Sequence, residues 1–215
     1  ANTPVRKQTG GPTDIFVAKY NRDGQMLWNK LYGSGSPDQG VAIALHSSGI
    51  YITGFFSAPS ATFGATIIQA SGIEGKYDAF LAKLNSNGDA LWAVSCGGFE
   101  NDYASSVAVD VGGNAYITGN FSSPAAFRSV SGASTMYSSN TTPDIFIAKY
   151  TSGGNLAAFH TSNSGTPAFG SSIAVSGSSV YVAGIIQGSS YGNTPVSYRG
   201  GGDIFLGKYN ISNLN

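Results

Sequence analysis

One eight-residue phrase occurs four times in this 215-residue chain, as TDIFVAKY, YDAFLAKL, PDIFIAKY and GDIFLGKY. The copies are anchored by Asp14, Asp78, Asp144 and Asp203, at spacings of 64, 66 and 59 residues. Self-similarity at a near-constant period restricts the chain to a row of like supersecondary units, each covering its neighbour's apolar face. Three other phrases recur between the copies. YITG at Tyr51 returns at Tyr116 and, as YVAG, at Tyr181. GQMLWNKLYG returns as GDALWAVSCG and GNLAAFHTSN, and GVAIAL as SSVAVD and SSIAVS. Each is a short run of β-branched and aromatic residues bounded by Gly, Asn, Asp or Ser, the pattern of strands and turns. No stretch sustains a helical period with caps. The chain reads as all-β.

Turn lengths order the strands. HSSGI and VGGNA, like NRDGQM and NSNGDA, are short Gly- or Asn-bearing hairpin turns. The alternating connections are longer, as in GSGSPDQ or the stretch SAPSATFGATIIQASGIEGKY. In a meander, alternate connections fall at opposite ends, so the short turns share one edge and the long loops the other. In DIFVAKY, Ile15 and Val17 face one way, Phe16 and Ala18 the other. Both faces are apolar, as in a sheet held between two neighbours. Four-stranded antiparallel blades packed radially, a β-propeller, are the expected fold.

The run from Thr13 to Ser57 closely resembles the SBBP-type bacterial β-propeller repeat: an Asp-x-Phe-x-Ala-Lys strand, a Gly turn, a Trp-bearing strand and a Tyr-Ile-Thr-Gly strand. The resemblance recurs three times over nearly the whole chain. It implies a propeller within a large secreted or cell-surface protein, with no general catalytic activity. The chain departs from the pattern in its third unit, where Ala157 or Phe159 stands for Trp28 and Trp92, and in its long loops before Asp78, Asp144 and Asp203.

With the YITG hairpin as strands A and B, the expected parts are an extension over 1–13, C–D strands over 14–33, blades over 40–96 and 104–161, a partial blade over 170–209 and a tail over 211–215. That is about 3.3 blades, below the four to eight of closed rings. Three arrangements satisfy the count: a segment of a longer propeller, copies joined by open edges into a ring or filament, or a small open array. Unpaired edges and bare blade faces must be covered in each.

Composition removes other classes. Eleven basic and eleven acidic residues balance, so no nucleic-acid or anionic-membrane footprint is expected. No apolar run reaches the roughly 20 residues of a bilayer span. The chain begins without a signal peptide or initiator Met, as a processed or excised product would. Cys96 is alone and expected to be a small buried hydrophobe. Low charge and many hydroxyls and amides fit a secreted bacterial protein.

Residues shared by every unit are expected to serve the scaffold: Asp14, Asp78, Asp144 and Asp203 as backbone acceptors, Lys19, Lys83, Lys149 and Lys208 as stems over apolar neighbours, and Trp28, Trp92, Tyr51, Tyr116 and Tyr181 in packing. Binding residues are expected on the long-loop edge, where units differ: Asp38, Asp102, Tyr103, Lys76, Tyr77, Tyr198 and Arg199. Asp38 and Asp102, matched by Ala168 in the third copy, could hold a metal or act as acid and base, as in propeller glycosidases, or shape turns. No Ser/His/Asp, Cys/His or metal-spacing motif can be assembled, and no cofactor is expected. The expected function is a non-enzymatic structural or protein-interaction module, self-association included. Carbohydrate binding through loop aromatics is the alternative, and a propeller glycosidase or lyase comes third.

Overall fold

A computed structural model describes residues 11–57, 59–122, 124–138, 143–188, 190–191, 194–195, 197 and 199–214. The described chain contains strands and turns, all sheet pairings being antiparallel. β1 (Ile15–Tyr20) and β2 (Met26–Tyr32) form a leading hairpin. The first full unit comprises β3 (Asp38–His46) and β4 (Gly49–Ser57), an inserted hairpin of β5 (Ser60–Phe63) and β6 (Thr66–Gln69), then β7 (Tyr77–Leu84) and β8 (Ala90–Gly98). The second repeats this as β9 (Tyr103–Val109), β10 (Ala115–Phe121), inserted β11 (Ala125–Arg128) and β12 (Ser134–Tyr137), β13 (Asp144–Tyr150) and β14 (Leu156–Thr161). The third has β15 (Ala168–Ser176), β16 (Ser179–Ile186), inserted β17 (Ser190–Tyr191) and β18 (Thr194–Pro195), and β19 (Asp203–Asn210).

Each unit is a meander in chain order, β3-β4-β7-β8, β9-β10-β13-β14 and β15-β16-β19. The first strands lie side by side, β3 against β9 and β9 against β15. The sheets are therefore stacked, with an apolar core in each gap. Ile15, Val17, Ile52 and Phe80 share the first core. Leu81, Trp92, Val107 and Phe146 share the second, and Tyr116, Ile147, Ile173 and Phe205 the third. This double coverage explains why Ala79, Phe80, Leu81 and Ala82 are all fully buried although alternate residues face opposite ways.

The long connections before Asp78 and Asp144 are not loops. Each folds into a hairpin that reaches the outer strand of the preceding unit. β11 pairs with β8, so one sheet becomes six-stranded in the order β12-β11-β8-β7-β4-β3. β5 bonds the end of β2 through a Gly33–Thr62 bridge. An outer strand leaves a row of unpaired N–H and C=O groups, and the runs SATF and AAFR supply partners for them. Each insertion also sets an aromatic ring on the Phe of the repeated phrase: Phe63 on Phe80, Phe127 on Phe146 and Tyr191 on Phe205, at centroid distances of 5.0, 5.1 and 4.2 Å. The sheet strands begin at Asp38, Tyr103 and Ala168, slightly ahead of the boundaries expected at 40, 104 and 170.

The glycine of YITG has a steric cause. A bulge in each first strand, at Gly40/Ala42, Ala104/Ser106 and Gly170/Ser172, drives a carbonyl toward the neighbouring strand. A Cβ at Gly54, Gly119 or Gly184 would lie 2.0, 1.8 or 2.2 Å from the carbonyl oxygen of Gln39, Tyr103 or Phe169. Backbone cannot yield as a side chain can, so Gly119→Ala is expected to destabilise by roughly 3 kcal/mol. Gly35, with nothing within 4 Å of a Cβ, is the control. Urea midpoints check both: a large fall for Gly119→Ala, none for Gly35→Ala.

Candidate functional site

The repeated polar residues join one sheet to the next. Tyr51 faces Lys83, Tyr116 faces Lys149 and Tyr181 faces Lys208 across the second and third sheet strands. Each ammonium lies over its tyrosine ring, at 5.1, 5.5 and 5.8 Å from the centroid. Lys83 Nζ and Trp92 Nε1 both donate to the Ser152 carbonyl in the next unit, at 3.1 and 3.2 Å. Trp28 Nε1 donates likewise to Ser86, and Lys149 Nζ to Ile211. The register pairs Lys19 with Trp28, Lys83 with Trp92 and Lys149 with Ala158. Ala158 thus occupies the third tryptophan position, correcting the expectation of Ala157 or Phe159. The β7–β8 and β13–β14 turns are equally long, and no residue is gained or lost.

Asp78 and Asp144 are fully buried. Asp78 Oδ2 accepts the Ser71 N–H at 2.7 Å, and Asp144 Oδ1 accepts from the Ser162 hydroxyl and the Ser164 N–H. Asp203 accepts the Arg199 N–H, and Asp14 precedes β1 at the equivalent place. Burial pushes Asp78 up to about 6, against the pull of the Ser71 N–H and of Arg128.

Asp38 and Asp102 form two copies of one clasp and are each 1% exposed. Asp38 accepts the N–H groups of Ser34 and Ser57, and Asp102 those of Gly98 and Ser122. Each carboxylate ties the loop arriving from the preceding unit to the end of its own second strand. In the third unit, where Ala168 replaces the acid, the N–H of Ser164, the counterpart of Gly98, turns to Asp144 instead. Burial raises Asp38 and lifts Asp102 to about 8, with Asp78 and Glu100 adding to it. Side chains this enclosed and bonded to backbone act as scaffold, not as an open acid–base pair. Among the described residues no group of three or more His, Cys, Asp or Glu converges as metal ligands. Cys96 is buried, its thiol pushed up to about 12 by desolvation.

Lys76, Tyr77 and Tyr103 do come together. Phe55, Tyr77 and Tyr103 pack edge to face and tilted, with centroids 4.9 to 5.8 Å apart. All three rings are partly exposed on the long-loop edge. Lys76 Nζ pairs with Glu100 at 2.6 Å beside them. Asn101 fixes the platform by accepting the Tyr77 N–H, and the Asp102 N–H donates to the Tyr77 carbonyl. The register places Asn120 and Ile185 where Phe55 stands, Pro143 and Gly202 at Tyr77, and Gln39 and Phe169 at Tyr103. The trio is thus not demanded by the repeat. Phe55 escaped notice in sequence because it follows YITG as an ordinary strand residue; its departure from Asn120 and Ile185 was the available signal. Arg199 sits in the loop before β19, apart from the trio, and Tyr198 lies outside the described residues.

No family model matches the chain. Over 110 residues, 51% of its length, it is 26% identical to the regulatory protein FlaEY of Caulobacter vibrioides. Over 116 residues, 52% of its length, it is 30% identical to an uncharacterised WD repeat-containing protein, L264, of Acanthamoeba polyphaga mimivirus. The matched stretches amount to 12% and 8% of those proteins. The chain is therefore similar to short parts of two much longer relatives, one of them named as WD repeat-containing.

Proposed function

We propose that the chain is a non-enzymatic protein-interaction module of the β-propeller type, its stacked sheets being blades. The meander order, the side-by-side first strands and the likeness to a WD repeat protein support the fold reading. The Phe55–Tyr77–Tyr103 platform carries the functional reading. It lies on the edge where blades differ, it serves no repeated structural purpose, and tyrosine is favoured at protein recognition surfaces. The SBBP-type kinship and an extracellular or cell-surface setting belong to the same proposal, resting on the repeated phrases and the low-charge, hydroxyl-rich composition.

The test uses a partner isolated with the chain as bait, then purified and titrated calorimetrically. Tyr77→Ala/Tyr103→Ala is expected to weaken that binding at least tenfold, while Lys30→Ala, on an exposed ion pair with Asp89, leaves it unchanged. Equal affinity for all three proteins would remove the platform from the reading. Tyrosine-dependent binding on a glycan array, with no protein partner, would replace it with a lectin function.

A further inference from the structure

We infer that the outer edge of β8 takes an extended peptide of a partner protein as a further strand, Arg128 holding an acidic side chain of that peptide. The site is separate from the Phe55–Tyr77–Tyr103 platform and adds a second surface to the interaction reading.

The pairing of β8 is incomplete along its own length. On one side β7 pairs with it from Ala90 to Cys96. On the other β11 pairs only with Cys96, Gly97 and Gly98, through Phe127, Ala126 and Ala125. β11 then turns away. The Ser129 N–H donates to the Ala133 carbonyl, and the Val130 N–H to that of Gly154 in the next unit. Leu91 to Ser95 therefore keep an outer edge with no strand beside it among the described residues. Along such an edge alternate residues present both N–H and C=O outward. The cause is local, since the β5–β6 hairpin and the six-stranded sheet that flank the edge are both described.

The edge opens on a groove of about 390 Å³, lined also by Ile68 and Gln69 of β6 and by Arg128 to Val130. The Gln69 carbonyl accepts the Ser95 hydroxyl at 2.7 Å, which fixes β6 beside β8. The two ends of the groove differ in chemistry. Leu91 and Val130 are 53% and 50% exposed at the apolar end. Ser95 and Arg128 make the polar end, four residues from Leu91, or roughly 13 Å of extended chain. Arg128 is partly buried, and its Nη1 donates to the hydroxyls of Ser71 and Ser95 at 2.8 and 3.1 Å. These acceptors are neutral. The ion pairs among the described residues are Lys30–Asp89 and Lys76–Glu100, so no carboxylate touches the guanidinium. Asp78 feels its charge but is fully buried and bonded to the Ser71 N–H. Nε and Nη2 are left for a carboxylate, which takes two parallel N–H bonds from the guanidinium fork.

An occupant must bring extended backbone, an anionic group at one end and apolar side chains at the other. A partner's strand meets all three, its main chain supplying affinity and its alternate side chains specificity. A small carboxylate with an alkyl tail meets the last two and leaves the strand edge bare.

The test selects a displayed library of random linear heptapeptides on the whole chain, then synthesises the recovered peptides with acetylated and amidated ends. Each is expected to carry Asp or Glu, and replacing that acid by its amide is expected to weaken binding roughly tenfold by fluorescence anisotropy. Arg128→Gln is expected to weaken the acidic peptide equally and leave the amide peptide unchanged, whereas a misfolded variant would weaken both. Arg128→Lys is expected to restore part of the loss. N-methylation of one peptide residue at a time, on the unaltered chain, is expected to abolish binding at every second position. Recovery of no peptide, affinities that ignore Arg128, or N-methyl losses without alternation would overturn the proposal. Tyr77→Ala/Tyr103→Ala is expected to leave these affinities unchanged, so this site and the aromatic platform fail separately.

Discussion

Trp92→Ala is expected to destabilise the chain by roughly 3–5 kcal/mol, the range for removing a buried large aromatic. The indole is 8% exposed and stands edge-on to Tyr51 at 6.1 Å. It lies so close to the next unit that a Cβ at Gly154 would come within 2.9 Å of it. Its N–H bond to Ser152 ties outer strand β8 to that unit's turn. Truncation leaves a cavity in the central core and removes one of two donors from the Ser152 carbonyl, the other being Lys83. Trp92→Phe keeps most of the apolar contact and loses the hydrogen bond, so a smaller loss of about 1 kcal/mol is expected. Trp28 is less buried, and Trp28→Ala is expected to fall between them. Urea denaturation followed by far-UV circular dichroism ranks the three variants. An unchanged midpoint for Trp92→Ala would mean that the central interface does not limit stability.

The same position shows what was readable from sequence. Strand identity, meander order and the apolar character of both faces follow from β-branched runs and turn residues, because those signals are local. The scaffold role of Asp38 and Asp102 was legible only as one of two alternatives. The deciding partners, the N–H groups of Ser57 and Ser122, come from a different strand of the sheet. The inserted hairpins were hidden for a similar reason. SATF and TIIQ are too short to stand as a sheet, and their partner is the outer strand of another unit. The Phe of the repeated phrase looked like generic core until Phe63, Phe127 and Tyr191 were seen to cover it in turn. The aromatic platform was half visible: Tyr77 and Tyr103 stood out as loop aromatics, while Phe55 acquires meaning only when register aligns it with Asn120 and Ile185.

Stability is expected to fall as pH rises from about 4 to about 8, the reverse of ordinary acid denaturation. Burial lifts the Asp102 carboxyl to about 8, outweighing the N–H bonds from Ser122 and Gly98 that favour its charged form. In the unfolded chain the same group titrates near 4. Between those values the folded state holds a proton that the unfolded state has released, so raising the pH favours unfolding. The contribution is fully present below about pH 4 and is lost once pH passes about 8. A displacement of this size corresponds to on the order of 5 kcal/mol. Asp78, lifted to about 6, adds to the slope in the lower half of the window. Asp102→Asn resembles the protonated acid in shape and cannot ionise. It is expected to flatten the slope above pH 6 and leave the part due to Asp78 in place. Urea midpoints at pH 4.5, 6.5 and 8.5 measure both effects, and a wild-type midpoint that rises across this series would refute a neutral Asp102. The placement of the group gives the effect a structural location. Asp102 joins the loop after β8 to the end of β10. Ionising it therefore loosens the seam between the first two full sheets, and Ala168 stands in place of the acid at the seam before the third.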